Sequence, residues 1–261
     1  MKVNYAYGDF SSTASYYAAR ADYDKVVLDL LTAHVGASRA DFTVADIGAG
    51  AGKLTIDLAS RHLRGFAVEP NEQMLTEGKR AMTTCDAFDW RPGTGENTSL
   101  PDQSVDWAIV SNAFHWMNPQ ATLLEMRRIL RPSGFLSVIY CLPDQQNCEI
   151  RSMIENHISA TFPGLKRVMP GILELMPRLK DVVHLSDAFM ECLQIHRQHV
   201  VLKTPERFLL SWRGVHDIPS QIGATRWEDL LSWIEGQIGG ARELRLPHET
   251  TSWTVQLKHE S

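Results

Sequence analysis

The stretch VADIGAGAGKLT, residues 44–55, is the clearest indication of the fold class. It places Gly48, Gly50 and Gly52 within five positions. A short run rich in β-forming residues, FTVADI (42–47), precedes the glycines, and KLTIDLAS (53–60) follows with apolar residues at helical spacing. A strand, a glycine-rich turn and a helix in this order form the nucleotide-binding corner of a doubly wound α/β sheet.

An acidic residue, Asp46, stands two positions before the first glycine, and the glycines follow the order G-x-G-x-G. A dinucleotide fold predicts G-x-G-x-x-G and no acid here, so an NAD-dependent oxidoreductase is disfavoured. A carboxylate repels a diphosphate but suits an ammonium group. S-adenosylmethionine carries an amine, a sulfonium and an adenosine without phosphate. Glu69, 17 residues past Gly52, ends the next apolar run and can accept hydrogen bonds from both ribose hydroxyls.

Further strands and helices alternate along the chain, which predicts a parallel, doubly wound sheet. The predicted strands after the first are GFAVEP (65–70), AFDWRPG (87–93), SVDWAIVSNAF (104–114) and FLSVIY (135–140). Prolines interrupt helical stretches after residue 141, which favours a helical cap inserted over the sheet. QIHRQHVVLKT (194–204) and TSWTVQLK (251–258) then predict a late antiparallel pair that closes a seven-stranded sheet, with PERFLLSWRGVH (205–216) as a helix between them.

Composition narrows the class of protein. The formal net charge is −5 and no basic run is present, so no nucleic-acid partner is indicated. The four cysteines are scattered without a CxxC pair, which is typical of a reduced, cytoplasmic protein. The sequence shows neither a signal peptide nor an apolar run long enough to span a membrane, so no membrane association is expected.

Several motifs together resemble the class I S-adenosylmethionine-dependent methyltransferases, in the methyltransferase type 11-like branch that acts mostly on small molecules. They are VADIGAGAG, VEP, GTGENTSLPDQSVDWAIVSNAFHW (93–116) and LRPSGFL (130–136). The resemblance implies a seven-stranded Rossmann-like methyltransferase sheet with an inserted helical cap, in a single domain over residues 1–261. We divide it into an N-terminal helical lid (1–35), a cofactor-binding core (36–140), the cap (141–192) and a C-terminal part that completes the sheet (193–261).

The same resemblance implies where S-adenosylmethionine binds and where S-adenosylhomocysteine remains as product. Asp46 and the glycine loop would line the methionine and ribose, Glu69 would hold the ribose, and other positions would contact the adenine, the methionine amine or the lid side. The predicted cofactor residues are Asp46, Gly48, Ala49, Gly50, Gly52, Glu69, Pro70, Met74, Thr94, Gly95, Glu96, Asn112, Ala113, Tyr17 and Arg20.

Methyl transfer from a sulfonium is an in-line displacement, and a base is needed only where the nucleophile must lose a proton. His115 follows the fourth strand and is the candidate base, or alternatively a structural histidine at the strand end. Trp116, Trp212 and Arg213 are candidate substrate contacts. His196 and His199 lie three apart on a predicted strand and point to opposite faces, so no metal site is predicted.

The sequence therefore predicts an enzyme that moves a methyl group from S-adenosylmethionine to oxygen or nitrogen of a small-molecule acceptor. An alternative is a methyltransferase-like protein that binds the cofactor without transferring its methyl group. The expected oligomeric state is a monomer or a homodimer. The acceptor itself is left open, because its pocket lies where the resemblance is weakest.

Overall fold

The protein forms one open, mixed sheet of seven strands in the order β3-β2-β1-β4-β5-β7-β6. The computed structural model describes residues 11–20, 22–167, 169–183 and 187–258. The strands are β1 (Thr43–Ile47), β2 (Arg64–Val68), β3 (Phe88–Arg91), β4 (Val105–Ser111), β5 (Leu130–Pro143), β6 (Leu193–Lys203) and β7 (Leu244–Gln256). Strands β1 to β5 run parallel, and β7 pairs antiparallel with both β5 and β6.

The doubly wound, seven-stranded fold predicted from the sequence is confirmed, with one correction to its edge. The late pair of strands does not close the sheet, because β6 remains a free edge beside β7. Strand β7 also begins well before the predicted residue 251, and it pairs with β6 from Leu244 onward. The first half of β7 contains Pro247 and Glu249, which are residue types that are uncommon inside strands. The sequence pattern therefore did not predict this part of the strand.

Helices cover both faces of the sheet. They are α1 (Lys25–His34), α2 (Lys53–Ala59), α3 (Glu72–Ala81), α4 (Pro119–Ile129), α5 (Glu149–Thr161), α6 (Met169–Leu175), α7 (Leu179–Val183), α8 (Pro205–Arg213), α9 (Pro219–Ile222) and α10 (Ala224–Ile238). Leu28 of α1 and Leu58 of α2 are buried against one face, and Leu123 and Met126 of α4 against the other. Two layers of helices thus enclose a nearly continuous apolar sheet, as parallel strands require.

The helices α5, α8 and α10 together form the helical cap, and one apolar cluster joins them. Helix α5 precedes β6 in the chain, and α8 and α10 follow it. Ile154 of α5, Phe208 and Trp212 of α8 and Ile234 of α10 are buried together in this cluster. The helix predicted over 205–216 is shorter than expected, because α8 ends at Arg213 and Gly214 caps it. A 3₁₀ helix, Ser11–Ala19, lies against α8 and α3.

The first ten residues of the predicted lid lie outside the described part of the chain. Within the part that is described, no helix has both the length and the apolar character needed to cross a membrane.

Candidate functional site

The glycine turn after β1 requires its glycines. Gly48, Gly50 and Gly52 have φ values of 71°, 57° and 84°, in the left-handed region that other residues rarely adopt. A Cβ on Gly48 would lie only 2.8 Å from the Cβ of Ala113. The backbone N–H of Gly48 also donates to the carbonyl of Val68 at 2.8 Å, which ties the turn to the end of β2.

A first cavity of about 360 Å³ opens at this turn, which is a typical size for a small-molecule site. It lies beyond the carboxyl ends of β1, β2 and β4, where the strand order reverses between β1 and β4. The structure brings twelve of the fifteen predicted cofactor residues to its wall: Tyr17, Arg20, Asp46, Gly48, Ala49, Gly50, Glu69, Pro70, Met74, Gly95, Asn112 and Ala113. Trp116, predicted as a substrate contact, lines it as well.

Three of the predicted cofactor residues lie elsewhere. Gly52 is the N-terminal cap residue of α2 and does not line the cavity. Thr94 and Glu96 also lie outside its wall. The N–H of Thr94 donates to the carbonyl of Asn97, and a Glu96 carboxylate oxygen accepts the N–H of Asn118 at 2.6 Å. The backbone of Thr94 is therefore engaged within the turn at 94–97, and the Glu96 carboxylate is engaged with the N-cap residue of α4.

Asp46 presents a buried carboxylate to the first cavity. Its Oδ2 accepts a hydrogen bond from the Thr55 hydroxyl at 2.6 Å. Its Oδ1 is buried and has no hydrogen-bond partner among the described residues. Burial, together with the nearby Glu69 carboxylate, raises the pKa of Asp46 to about 7. A buried, half-satisfied carboxylate of this kind is suited to a positively charged ligand group.

Glu69 is held rigidly at the end of β2. Its two carboxylate oxygens accept the N–H groups of Gly50 at 2.8 Å and Asn71 at 2.9 Å. Burial raises the pKa of Glu69 despite these two bonds. Each oxygen keeps a lone pair for a further donor, so the carboxylate can still accept hydrogen bonds from a bound diol.

A second cavity of about 200 Å³ adjoins the first beneath the cap. Four residues line both cavities: Tyr17, Arg20, Asn112 and Trp116. Asn112 is fixed at this junction, since its Oδ1 accepts the N–H of Cys141 at 3.0 Å and its Nδ2 donates to the Tyr23 hydroxyl at 3.2 Å. The two cavities therefore adjoin each other, with Asn112 and Trp116 at the junction.

His115 faces the second cavity from the short 3₁₀ helix Phe114–Trp116. Its Nδ1 lies 3.1 Å from the Tyr140 hydroxyl, which also accepts the backbone N–H of His115 at 3.0 Å. Burial, reinforced by Arg20 and His216, lowers the pKa of His115 to about 3. The imidazole is therefore neutral at neutral pH and fixed in orientation. Its role as a base stays a prediction.

The two candidate substrate contacts on α8, Trp212 and Arg213, lie in different surroundings. Trp212 is buried and lines the second cavity. Arg213 lines neither of the two cavities, because its guanidinium pairs with Glu228 at 2.8 Å on the outer side of the cap. Adjacent residues on a helix point in directions about 100° apart, so only one of the two can face the cavity. The predicted substrate contact of Arg213 does not fit this placement.

The sequence analysis missed two cations that line the second cavity, the half-buried Arg151 of α5 and the buried Lys203 of β6. One signal was available for Lys203. It lies two residues after Val201 on the same strand and therefore on the same face, and both side chains are buried. Arg151 gave no comparable signal, because a lone arginine on an amphipathic helix usually faces solvent.

The side chains of His196 and His199 do not point to a common site. His196 Nδ1 lies 2.9 Å from the Thr251 hydroxyl, whereas His199 lies against Asp24 and His248. Within the described ranges, no group of three or more histidine, cysteine or acidic side chains is arranged to hold a metal ion.

Comparison with known proteins identifies the central part of the chain. Residues 45–138 match the family model of a methyltransferase domain. An uncharacterized methyltransferase of Mycobacterium tuberculosis is 34% identical over 145 residues, which are 56% of this chain and 56% of that protein. The malonyl-[acyl-carrier protein] O-methyltransferase of a Marinomonas species is 28% identical over 131 residues, or 49% of this chain and 48% of that protein. The chain thus spans about half the length of the curated relatives it matches.

A solved structure extends the likeness to almost the whole fold. A protein of Anaeromyxobacter dehalogenans, titled a candidate type II methyltransferase, superposes with a TM-score of 0.57 at 18% identity, covering 92% of this chain and 97% of that one. At this identity the match concerns the fold alone. Residues 45–138 thus resemble a methyltransferase domain of the class I S-adenosylmethionine-dependent kind, and the likeness over the rest of the chain is one of fold.

Proposed function

We propose that this protein binds S-adenosylmethionine in the first cavity and transfers its methyl group to oxygen or nitrogen of a small molecule in the second. The observation that carries the proposal is the pair of adjoining cavities with Asn112 and Trp116 at their junction. A donor and an acceptor bound on either side of that junction would meet there. The match of residues 45–138 to a methyltransferase domain supports the same proposal.

The residues of the first cavity fit the cofactor. The unpartnered Oδ1 of Asp46 suits the methionine ammonium, and the rigid Glu69 carboxylate suits the ribose hydroxyls. Gly48 and Gly50 leave room for close approach to the backbone, since neither has a side chain. When bound, S-adenosylmethionine supplies an electrophilic methyl group on a positively charged sulfur.

The protein's own contribution is alignment and exclusion of water. Asn112 and Trp116 would hold the nucleophile of the acceptor in line with the methyl group, and the cap would shield the junction from solvent. His115, neutral and oriented by Tyr140, is available to accept a proton from an acceptor that carries one. The name of the Marinomonas relative, an O-methyltransferase, is in keeping with an oxygen acceptor.

Calorimetric titration with S-adenosylmethionine, S-adenosylhomocysteine and NAD tests the cofactor assignment. We expect micromolar binding of the two sulfur compounds and none of NAD. Glu69→Ala should weaken binding at least tenfold, because it removes the ribose acceptor and the anchor of Gly50. Glu72→Ala, an exposed change three residues away on α3, is the matched control and should bind as the wild type does. Equal affinity of Glu69→Ala and wild type would contradict the assignment.

The alternative, binding without methyl transfer, is separated by a second assay. Incubation with a methyl-labelled cofactor and a panel of small acids, phenols and amines should yield a labelled product. Tight binding of both sulfur compounds with no labelled product from the whole panel would favour a binding protein over an enzyme.

A further inference from the structure

The second cavity is positively charged. Its wall carries three arginines and one lysine, Arg20, Arg151, Arg167 and Lys203, against two carboxylates, Glu155 and Asp217. Arg167 contacts both carboxylates, Glu155 at 2.5 Å and Asp217 at 3.0 Å. The two acids are thus already engaged with one arginine, and the remaining cations lack an equal number of negative partners in the wall.

Arg151 is the least compensated of these cations. Its Nε is buried and has no hydrogen-bond partner among the described residues, and no described carboxylate lies within ion-pair distance of its guanidinium. The guanidinium lies 5.7 Å from the ring centre of Phe208, an apolar neighbour. Burial lowers the pKa of Arg151, yet an arginine remains charged in proteins. A half-buried guanidinium whose Nε is shielded from water, and which has no anion beside it, is costly unless a ligand supplies one.

Lys203 adds a second donor to the same space. Its side chain is 3% exposed, and its Nζ donates to a neutral group, the carbonyl of Ala19, at 2.6 Å. An ammonium has three N–H donors, so others remain for a ligand. Burial and the neighbouring Arg151 lower the pKa of Lys203 to about 7, and the same two causes lower the pKa of His248 to about 3. Burial is the larger cause of both shifts, and the positive charge of Arg151 adds to it.

We propose that the methyl acceptor is a small molecule that carries an oxyanion group, a carboxylate or a phosphate ester, held by Arg151 and Lys203 in the second cavity. The inference rests on the proposed function, and it adds the charge class of the acceptor. Arginine presents a planar fork of donors that matches either anion in two parallel hydrogen bonds. The cavity volume of about 200 Å³ restricts the acceptor to a small body.

The rest of the wall indicates what the body of the acceptor is like. Trp116, Trp212 and Ile172 line the same cavity and offer apolar and aromatic surface. A flat apolar or aromatic body that ends in an oxyanion would satisfy both parts of the wall. A neutral or cationic acceptor would leave Arg151 uncompensated.

Fluorinated probes test this charge preference on the protein saturated with S-adenosylhomocysteine. The probes are 4-fluorobenzoate, 4-fluorophenyl phosphate, 4-fluorobenzamide and 4-fluorobenzylamine, followed by ¹⁹F line broadening. We expect the benzoate, the phenyl phosphate or both to bind at least tenfold more tightly than the amide and the amine. The comparison between the two anions identifies which oxyanion the cavity prefers.

Variants locate the binding. Arg151→Met should weaken binding of the anionic probe at least tenfold, and Lys203→Gln should weaken it independently, which keeps the test decisive if one variant fails to fold. Arg226→Met, an exposed arginine on α10 of the same cap, is the matched control and should leave binding unchanged. The affinity for S-adenosylhomocysteine is measured in every sample, so a loss confined to the probe separates this inference from the cofactor assignment.

Three results would overturn the inference. The first is equal binding of the amide or the amine. The second is wild-type affinity for the anionic probe in both Arg151→Met and Lys203→Gln. The third is no binding of either anion at millimolar concentration while S-adenosylhomocysteine still binds.

Discussion

Replacing Asp46 with asparagine should stabilise the protein without cofactor and weaken its binding of S-adenosylmethionine. The carboxylate is buried, only one of its oxygens has a partner, and its pKa is raised to about 7 by burial and by Glu69. Asparagine keeps an oxygen that can accept the Thr55 hydroxyl and carries no charge. The change therefore removes the cost of a buried negative charge together with the group proposed to hold the ligand's ammonium.

The magnitude follows from the shift in pKa. A rise from 3.8 to about 7 means that ionised Asp46 opposes folding by roughly 4 kcal/mol once the pH exceeds both values. This cost is absent well below pH 3.8, grows as the pH rises through the interval and is constant above about pH 7. Between about pH 5 and pH 8 the stability of the Asp46→Asn variant relative to wild type should therefore rise by roughly 2.5 kcal/mol. The amide nitrogen left without a partner subtracts about 1–3 kcal/mol at every pH and does not affect this slope.

Urea unfolding of both proteins without cofactor, at about pH 5 and pH 8, measures the difference. The buried His115 and His248, whose pKa values are lowered to about 3, destabilise both proteins equally as the pH falls below about 6.5, so they cancel in the comparison. Asp86→Asn, an exposed aspartate, is the matched control and should show no such slope. A relative stability that changes by less than about 1 kcal/mol between the two pH values would refute a charged, buried Asp46.

Three further changes test other parts of the structure. Gly65→Ala should destabilise the protein by more than about 3 kcal/mol in urea unfolding, because a Cβ there would lie 1.9 Å from the carbonyl oxygen of Val44; a loss below about 1 kcal/mol would contradict this contact. Arg213→Gln should leave the KM for the acceptor within twofold of wild type, since the side chain pairs with Glu228 outside both cavities, and a tenfold rise in KM would restore it as a substrate contact. If His115 is the base, His115→Ala should lower kcat by about a hundredfold with the affinity for S-adenosylhomocysteine preserved, and a loss under threefold would exclude that role.

The sequence predicts most of the residues that line the first cavity, because the geometry of that cavity is set by local rules. Three glycines with positive φ must follow β1, and the parallel strands must bring their carboxyl ends to one edge. Once the strands are placed, Asp46 and Glu69 necessarily lie close to that edge. The predicted residues that do not line this cavity are Gly52, which caps α2, and Thr94 and Glu96, whose hydrogen bonds to Asn97 and Asn118 the sequence pattern does not predict.

The residues that line the second cavity are harder to predict, because the wall of this cavity is assembled from segments that are distant in the sequence. Arg151 lies on α5, Lys203 at the end of β6 and Trp212 on α8, and only tertiary packing brings them together. The spacing of these residues in the sequence does not indicate that they line the same cavity. The cap also uses helices from both sides of β6, so even its extent depends on contacts that local periodicity does not encode. Arg213 illustrates this limit of sequence-based prediction. It is adjacent to Trp212 on α8, yet Trp212 lines the second cavity whereas Arg213 pairs with Glu228 outside it.

The two proposed ligands differ in charge, and this difference has a chemical consequence. The first cavity presents the carboxylates of Asp46 and Glu69, beside Arg20 and Lys53, whereas the second presents Arg151 and Lys203 beside Glu155 and Asp217. When the nucleophile is the bound oxyanion itself, transfer to it would neutralise a positive sulfur and a negative oxygen together. Such a reaction gains from a site that excludes water, since the charges that water stabilises disappear as the reaction proceeds. An oxyanion that is itself the nucleophile has no proton to lose. In that case His115, with a pKa of about 3, would be needed to position the acceptor and would not act as a base.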